Sequence, residues 1–122
     1  LDLTKRDTQA KLMAAGLPRK RSKAFTGSAL FSKFVTAPQD HTQLGVELVI
    51  DDAVRQKGYA SHMLYPPGVI LKELNQFLVL EDFDIVMTGT PAGMGAVQAG
   101  ERFCGRVLHG EQELVSAGWL AQ

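Results

Sequence analysis

The stretch Leu44-Gly45-Val46-Glu47-Leu48-Val49-Ile50-Asp51-Asp52-Ala53-Val54-Arg55-Gln56 decides the fold. Leu44 to Ile50 is apolar and alternates enough for a strand, with successive side chains sent to opposite faces. Asp51-Asp52 is a turn by composition, because short acidic side chains tolerate turn backbone and bond to it. Ala53 to Gln56 then returns as the hairpin partner.

Working outward, Phe103 to Leu108 and Glu113 to Ser116 read as a second pair of strands around the turn His109-Gly110-Glu111. Ile85 to Met87 and Ala29 to Val35 are also short, apolar and β-like. Two helices complete the outline. Thr4 to Gly16 has Thr4 as cap, Asp7 three residues later as in a capping box, an apolar side at Ala10, Leu12 and Met13, and a stop at Gly16-Leu17-Pro18. Pro66-Pro67-Gly68 opens the second, whose residues Ile70, Leu71, Leu74, Phe77 and Leu78 share one helical face. Arg19-Lys20-Arg21-Ser22-Lys23 between them is expected as a basic loop. No repeat or linker interrupts the chain, which reads as one α+β unit dominated by strands.

The 122 residues suit one domain, and 45% hydrophobic residues argue against disorder. Thirteen basic residues balance thirteen acidic ones, so the chain as a whole has no electrostatic pull toward nucleic acid or an anionic membrane. The basic run 19–23 lacks the interleaved aromatic residues of a nucleic-acid patch. Cys104 is the lone cysteine, which rules out an internal disulfide and a cysteine-rich zinc site; within a strand it is expected as a small buried hydrophobe. No apolar run approaches the roughly 18 residues of a membrane span, and a signal-peptide pattern is lacking. A soluble cytoplasmic protein is the expectation. Leu1, with no Met before it, reads as the start of a piece of something longer or of a processed chain.

Chemistry concentrates in three places. Thr88-Gly89-Thr90-Pro91-Ala92-Gly93-Met94-Gly95 directly follows Ile85-Val86-Met87. Its hydroxyls can donate to a carboxylate or carbonyl oxygen, and its glycines let backbone N–H groups approach a ligand. A phosphate loop would need other glycine spacing, a following Lys and a longer helix. A tight inter-strand loop and a ligand loop both fit these residues. Asp2, Arg6, Asp7 and Gln9 cluster at the start of the first helix, with Arg6 and Gln9 on one face. Asp2 is either a surface carboxylate or one oxygen donor for a hard cation, which requires several. Lys23, beside Ala24-Phe25-Thr26-Gly27-Ser28, is a candidate for a desolvated ammonium that steadies an enolate or carboxylate. His41, His62 and His109 are scattered without catalytic or metal spacing.

Together, Leu1 to Gln9, Gly16-Leu17-Pro18, Ser22 to Ser28 and Thr88 to Gly95 resemble the fumarylacetoacetate hydrolase family, with the look of its acylpyruvase and hydroxymuconate isomerase members. Val54-Arg55-Gln56 followed by Gly58, Ser61 and Met63 fits the same pattern. The resemblance implies a mixed, mostly antiparallel β-roll, here the C-terminal portion of a catalytic domain spanning residues 1–122, and a homodimer. It implies Mg²⁺ or Mn²⁺ held by three carboxylates: Asp2, plus two from a Glu-x-Glu segment upstream of Leu1. It further implies that Gln9, Lys23 and Thr90 face the substrate, with Gln9 and Lys23 catalytic, and that Arg6 forms a local ion pair.

The implied substrate is a small anionic 2-oxo or 1,3-diketo acid. Acylpyruvate hydrolysis, oxaloacetate-type decarboxylation and muconate-type isomerisation would all proceed through a metal-stabilised enolate. The chain departs from the family pattern at Asp51-Asp52, where Asn-Gly is common, at Arg19 for a Trp, and at Asp82-Phe83-Asp84 for a Pro-Gly-Asp turn. A non-catalytic assembly or binding module that keeps the fold without the upstream carboxylates is the competing expectation.

Overall fold

A computed structural model describes residues 1–122, which divide into two compact units, Leu1–Lys33 and Phe34–Gln122.

In the first unit, helix α1 (Arg6–Ala14) is followed by the single helical turn α2 (Lys20–Lys23). The helix starts later than expected, and Thr4 does not cap it: Lys5 is the N-cap residue, with no side-chain capping bond. The Thr4 hydroxyl is instead taken by Lys23, 19 residues away. Asp7 sits in the first turn, where the helix dipole favours a carboxylate. The C-terminus ends as Gly16-Leu17 predicts. Leu17 N donates to Leu12 O (2.9 Å) and Gly16 N to Met13 O (3.1 Å), with Gly16 at φ 64°. That bonding pattern needs a left-handed residue where only glycine is unstrained. The basic run is no loop over Lys20–Lys23. It winds into a turn around Ser22, fully buried, whose hydroxyl donates to Arg19 O at 2.6 Å.

Ala29 to Val35 forms no strand. Its sole β pairing is an isolated bridge from Ala29 to Asp2, flanked by Leu3 N to Ser28 O and Leu30 N to Leu1 O.

The second unit is a four-stranded sheet of β1 (Leu44–Ile50), β2 (Ala53–Tyr59), β3 (Arg102–His109) and β4 (Gln112–Leu120). The order is β2-β1-β3-β4 and each neighbouring pair is antiparallel. With its short helices this is the mostly antiparallel fold that the family resemblance implied. Asp51 and Asp52 take φ 47° and 68°, the left-handed values a type I′ hairpin turn demands, so the turn survives without Asn-Gly. Asp51 Oδ1 also accepts the Arg102 N–H at 3.0 Å, tying the turn to the start of β3.

The core lies between sheet neighbours. Ile50 stands opposite Phe103, and both are buried with Leu108 and Val115. Cys104 is half-buried rather than buried. Glu47 pairs in register with Lys57 and Arg106 on the adjacent strands, and its carboxylate meets Arg106 Nη1 at 3.0 Å and Lys57 Nζ at 3.5 Å. Before β1, Asp40 caps a 3-10 turn at His41–Gln43. The Thr42 hydroxyl, the Gln43 amide and the Thr42 N–H hold the Asp40 carboxyl below the usual carboxylate range.

Helix α3 (Pro67–Leu74) starts at the expected prolines and stops earlier than the apolar face suggests. Phe77 and Leu78 follow its end, and Leu71, Phe77 and Leu78 are exposed. Ile85 to Met87 is not a strand either. Its apolar residues have β propensity but no neighbouring strand to pair with, and propensity alone does not make a ladder.

Candidate functional site

Lys23 and Asp2 are brought together in the first unit. The first three residues run antiparallel to 28–30, and the bridge between Asp2 and Ala29 fixes Asp2 at the start of the chain. Lys5 N donates to Ser22 O at 3.0 Å, which ties the segment before α1 to α2. Lys23 closes α2, and its ammonium donates to Asp2 Oδ1 and to the Thr4 hydroxyl (2.9 Å). Two of its three N–H donors are thus engaged, leaving one. Both members of the ion pair are partly open to solvent, with side-chain exposures of 42% and 43%, so the Lys23 ammonium is not desolvated as its apolar neighbours suggested.

Gln9 lies one turn into α1, its N–H bonded to Lys5 O at 2.9 Å and its half-buried side chain without a hydrogen bond in the chain. Arg6, three residues earlier on the same helix, forms no ion pair, contrary to expectation: no carboxylate comes within 4.0 Å of its guanidinium. Thr4 is the residue of this group that its role as a presumed cap concealed.

Thr90 belongs to the second unit. Its loop is held against β2 by side-chain and backbone contacts. The Gln56 amide Nε2 donates to Thr90 Oγ1 at 3.1 Å and to Pro91 O at 2.8 Å. Gly93 lies so close to β2 that a Cβ there would stand 1.9 Å from the Arg55 carbonyl oxygen, and its φ is +99°. Pro91 packs over Gly58, where a Cβ would meet the ring at 2.9 Å. Arg55 is displaced toward the loop by a bulge: Leu48 pairs with Gln56 and Val49 with Val54, so Arg55 has no opposite residue on β1.

No three His, Cys, Asp or Glu side chains converge as a metal-binding group. Asp2 fits a hard divalent cation by donor chemistry, being a partly exposed carboxylate, but supplies one ligand residue of the several such a cation takes. The chain by itself makes no complete coordination shell.

Residues 1–118 match the family described as fumarylacetoacetate (FAA) hydrolase, C-terminal. The chain belongs to that family. It is 35% identical over 104 residues to the oxaloacetate tautomerase of Escherichia coli (strain K12), an alignment covering 83% of this chain and 48% of the relative. Among solved structures it superposes on a fumarylacetoacetate hydrolase family protein of yeast with TM-score 0.90 and 28% identity, covering 98% of this chain and 52% of that one. It also superposes on the fumarylpyruvate hydrolase of Pseudomonas aeruginosa in complex with Mn²⁺ and pyruvate, with TM-score 0.80, 32% identity and coverages of 98% and 51%. The chain spans about half the length of these relatives.

Proposed function

We propose that these residues form the C-terminal part of a metal-dependent enzyme acting on small 2-oxo or 1,3-diketo acids. The observation that carries this is the Lys23 ammonium bonded to both Asp2 and Thr4, which places a fixed cation beside a carboxylate suited to a hard metal ion. Likeness to an oxaloacetate tautomerase and to a fumarylpyruvate hydrolase holding Mn²⁺ and pyruvate supports the substrate class and the metal.

In this reading Asp2 contributes one carboxylate to Mg²⁺ or Mn²⁺, and the remaining ligands come from a longer protein. Such an ion supplies Lewis-acid polarisation to a 2-oxo group when bound. The part of this chain is to bind and orient. Lys23 keeps one N–H for a substrate oxygen, and its positive charge favours negative charge developing on that oxygen. Gln9 offers an amide donor from α1, and Thr90 a hydroxyl to the substrate's carboxylate or carbonyl.

Mn²⁺ binding by calorimetry, and turnover of oxaloacetate and of an acylpyruvate, are to be measured on the full-length protein and on Asp2→Asn. Loss of both binding and turnover in the variant is expected. Unchanged Mn²⁺ affinity in Asp2→Asn overturns the metal assignment. The lack of a complete metal group within the chain favours a second reading, a non-catalytic assembly module. No turnover of either substrate by the metal-loaded full-length protein selects it.

A further inference from the structure

We infer that Gln56 is a positioning residue that aims the Thr90 hydroxyl proton outward to the substrate. This rests on the reading of Thr90 as a substrate-facing group, and concerns how its hydroxyl is prepared for that role.

The geometry fixes the direction of each hydrogen bond. Gln56 Nε2 lies 2.8 Å from Pro91 O, a carbonyl that can only accept. The amide nitrogen, not its oxygen, must therefore face the loop, because the reversed amide would set two acceptors against each other. The same nitrogen reaches Thr90 Oγ1 at 3.1 Å, so both of its N–H donors are engaged and the Thr90 oxygen accepts. A hydroxyl that accepts from one side keeps its single proton for another partner. Thr90 is exposed, and no other group of the chain receives that proton. Gln56 itself is half-buried and in register with Leu48.

The backbone reinforces this seat. The bulge at Arg55 meets the loop where Gly93 carries no side chain, and Gly58 leaves room for Pro91. Arg55 and Gly58 thus seat the loop at Gly93 and Pro91, just after Thr90, while Gln56 sets the polarity of its hydroxyl.

The test uses the full-length, metal-loaded protein with Gln56→Leu, Gln56→Glu, Thr90→Val and the double variant Gln56→Leu/Thr90→Val. KM and kcat for oxaloacetate are read together with pyruvate affinity by calorimetry, and circular dichroism checks folding. Gln56→Leu is expected to raise KM and weaken pyruvate binding by up to about tenfold, the scale of one oriented hydrogen bond. The double variant is expected to be no worse than Thr90→Val, because both changes remove one unit. Gln56→Glu turns the donor into an acceptor that claims the Thr90 proton. Its defect should therefore shrink as pH falls toward the glutamic acid pKa of about 4.3, which a purely structural defect would not do. Multiplying effects in the double variant, or Gln56 variants that bind pyruvate normally while Thr90→Val does not, overturn the role of Gln56 alone. A Thr90→Val protein with unchanged KM and pyruvate affinity overturns the Thr90 reading, and this inference with it.

Discussion

Lys23 and Asp2, 21 residues apart in the chain, are joined by a direct ion pair at the start of the first unit. Exposed pairs of this kind contribute about 1 kcal/mol or less, because water and salt screen them. Asp2→Asn is therefore expected to lower stability by no more than about 1 kcal/mol in urea unfolding of the full-length protein. Mn²⁺ affinity should fall by more than the roughly 10–100-fold that loss of an outer-shell partner costs. A variant that loses several kcal/mol would make Asp2 a structural residue.

Gly93→Ala should be severe, since its Cβ would stand 1.9 Å from the Arg55 carbonyl at a φ of +99°. Overpacking and left-handed strain each cost about 1–3 kcal/mol, so a loss of about 2 kcal/mol or more is expected. Gly95→Ala, two residues on, has open space for its Cβ and should be nearly silent. Comparable thermal melts for the two variants would contradict the seating of the loop on β2.

Phe103→Ala should cost about 3–5 kcal/mol, because the ring is buried opposite Ile50 and its removal leaves a cavity between central strands. Phe83→Ala is the control: that ring is 98% exposed, and its loss should stay within about 0.5 kcal/mol. Urea denaturation of both variants separates the two.

Asp40 links the 3-10 turn to pH. Its carboxyl is held below its ordinary value of 3.8, first by the Thr42 hydroxyl, so the folded state binds its proton less readily than the unfolded state does. The cap's stabilisation is accordingly complete above the unfolded pKa and is lost as pH falls through the lower folded one. Asp40→Asn should narrow the stability difference from wild type as pH drops below about 3.8, followed by urea unfolding at a series of pH values. A difference that stays constant through that window would show that the carboxylate does not act as the cap.

The alternation at Leu44–Ile50 and the strand-like run Phe103–Leu108 made the sheet legible, because those residues pair with neighbours within the chain. Ile85 to Met87 carries the same composition without such a neighbour, so the pattern predicted a strand that does not form. The site was legible where a motif residue also has a partner close in space, as Lys23 has in Asp2. The partners of Thr4 and Gln56 were not legible for a different reason. Local grammar gave Thr4 a capping role that a lysine 19 residues away takes over, and the bond from Gln56 to Thr90 spans 34 residues. Periodicity reports local structure and is blind to such pairings.

The strand order has a consequence for how the chain folds. β1–β2 and β3–β4 are hairpins with short turns, whereas the central β1–β3 pairing joins Ile50 to Phe103 across β2, α3 and the Thr90 loop. Closing that long excursion is the non-local step, and its entropic cost comes before its contacts reward it. Until it closes, Leu44–Ile50 is a hairpin arm with one bare edge, apolar along nearly its whole length and free to template on another chain. A strand that ends up covered on both edges at the centre of the sheet is thus one that a slow closure leaves open to aggregation.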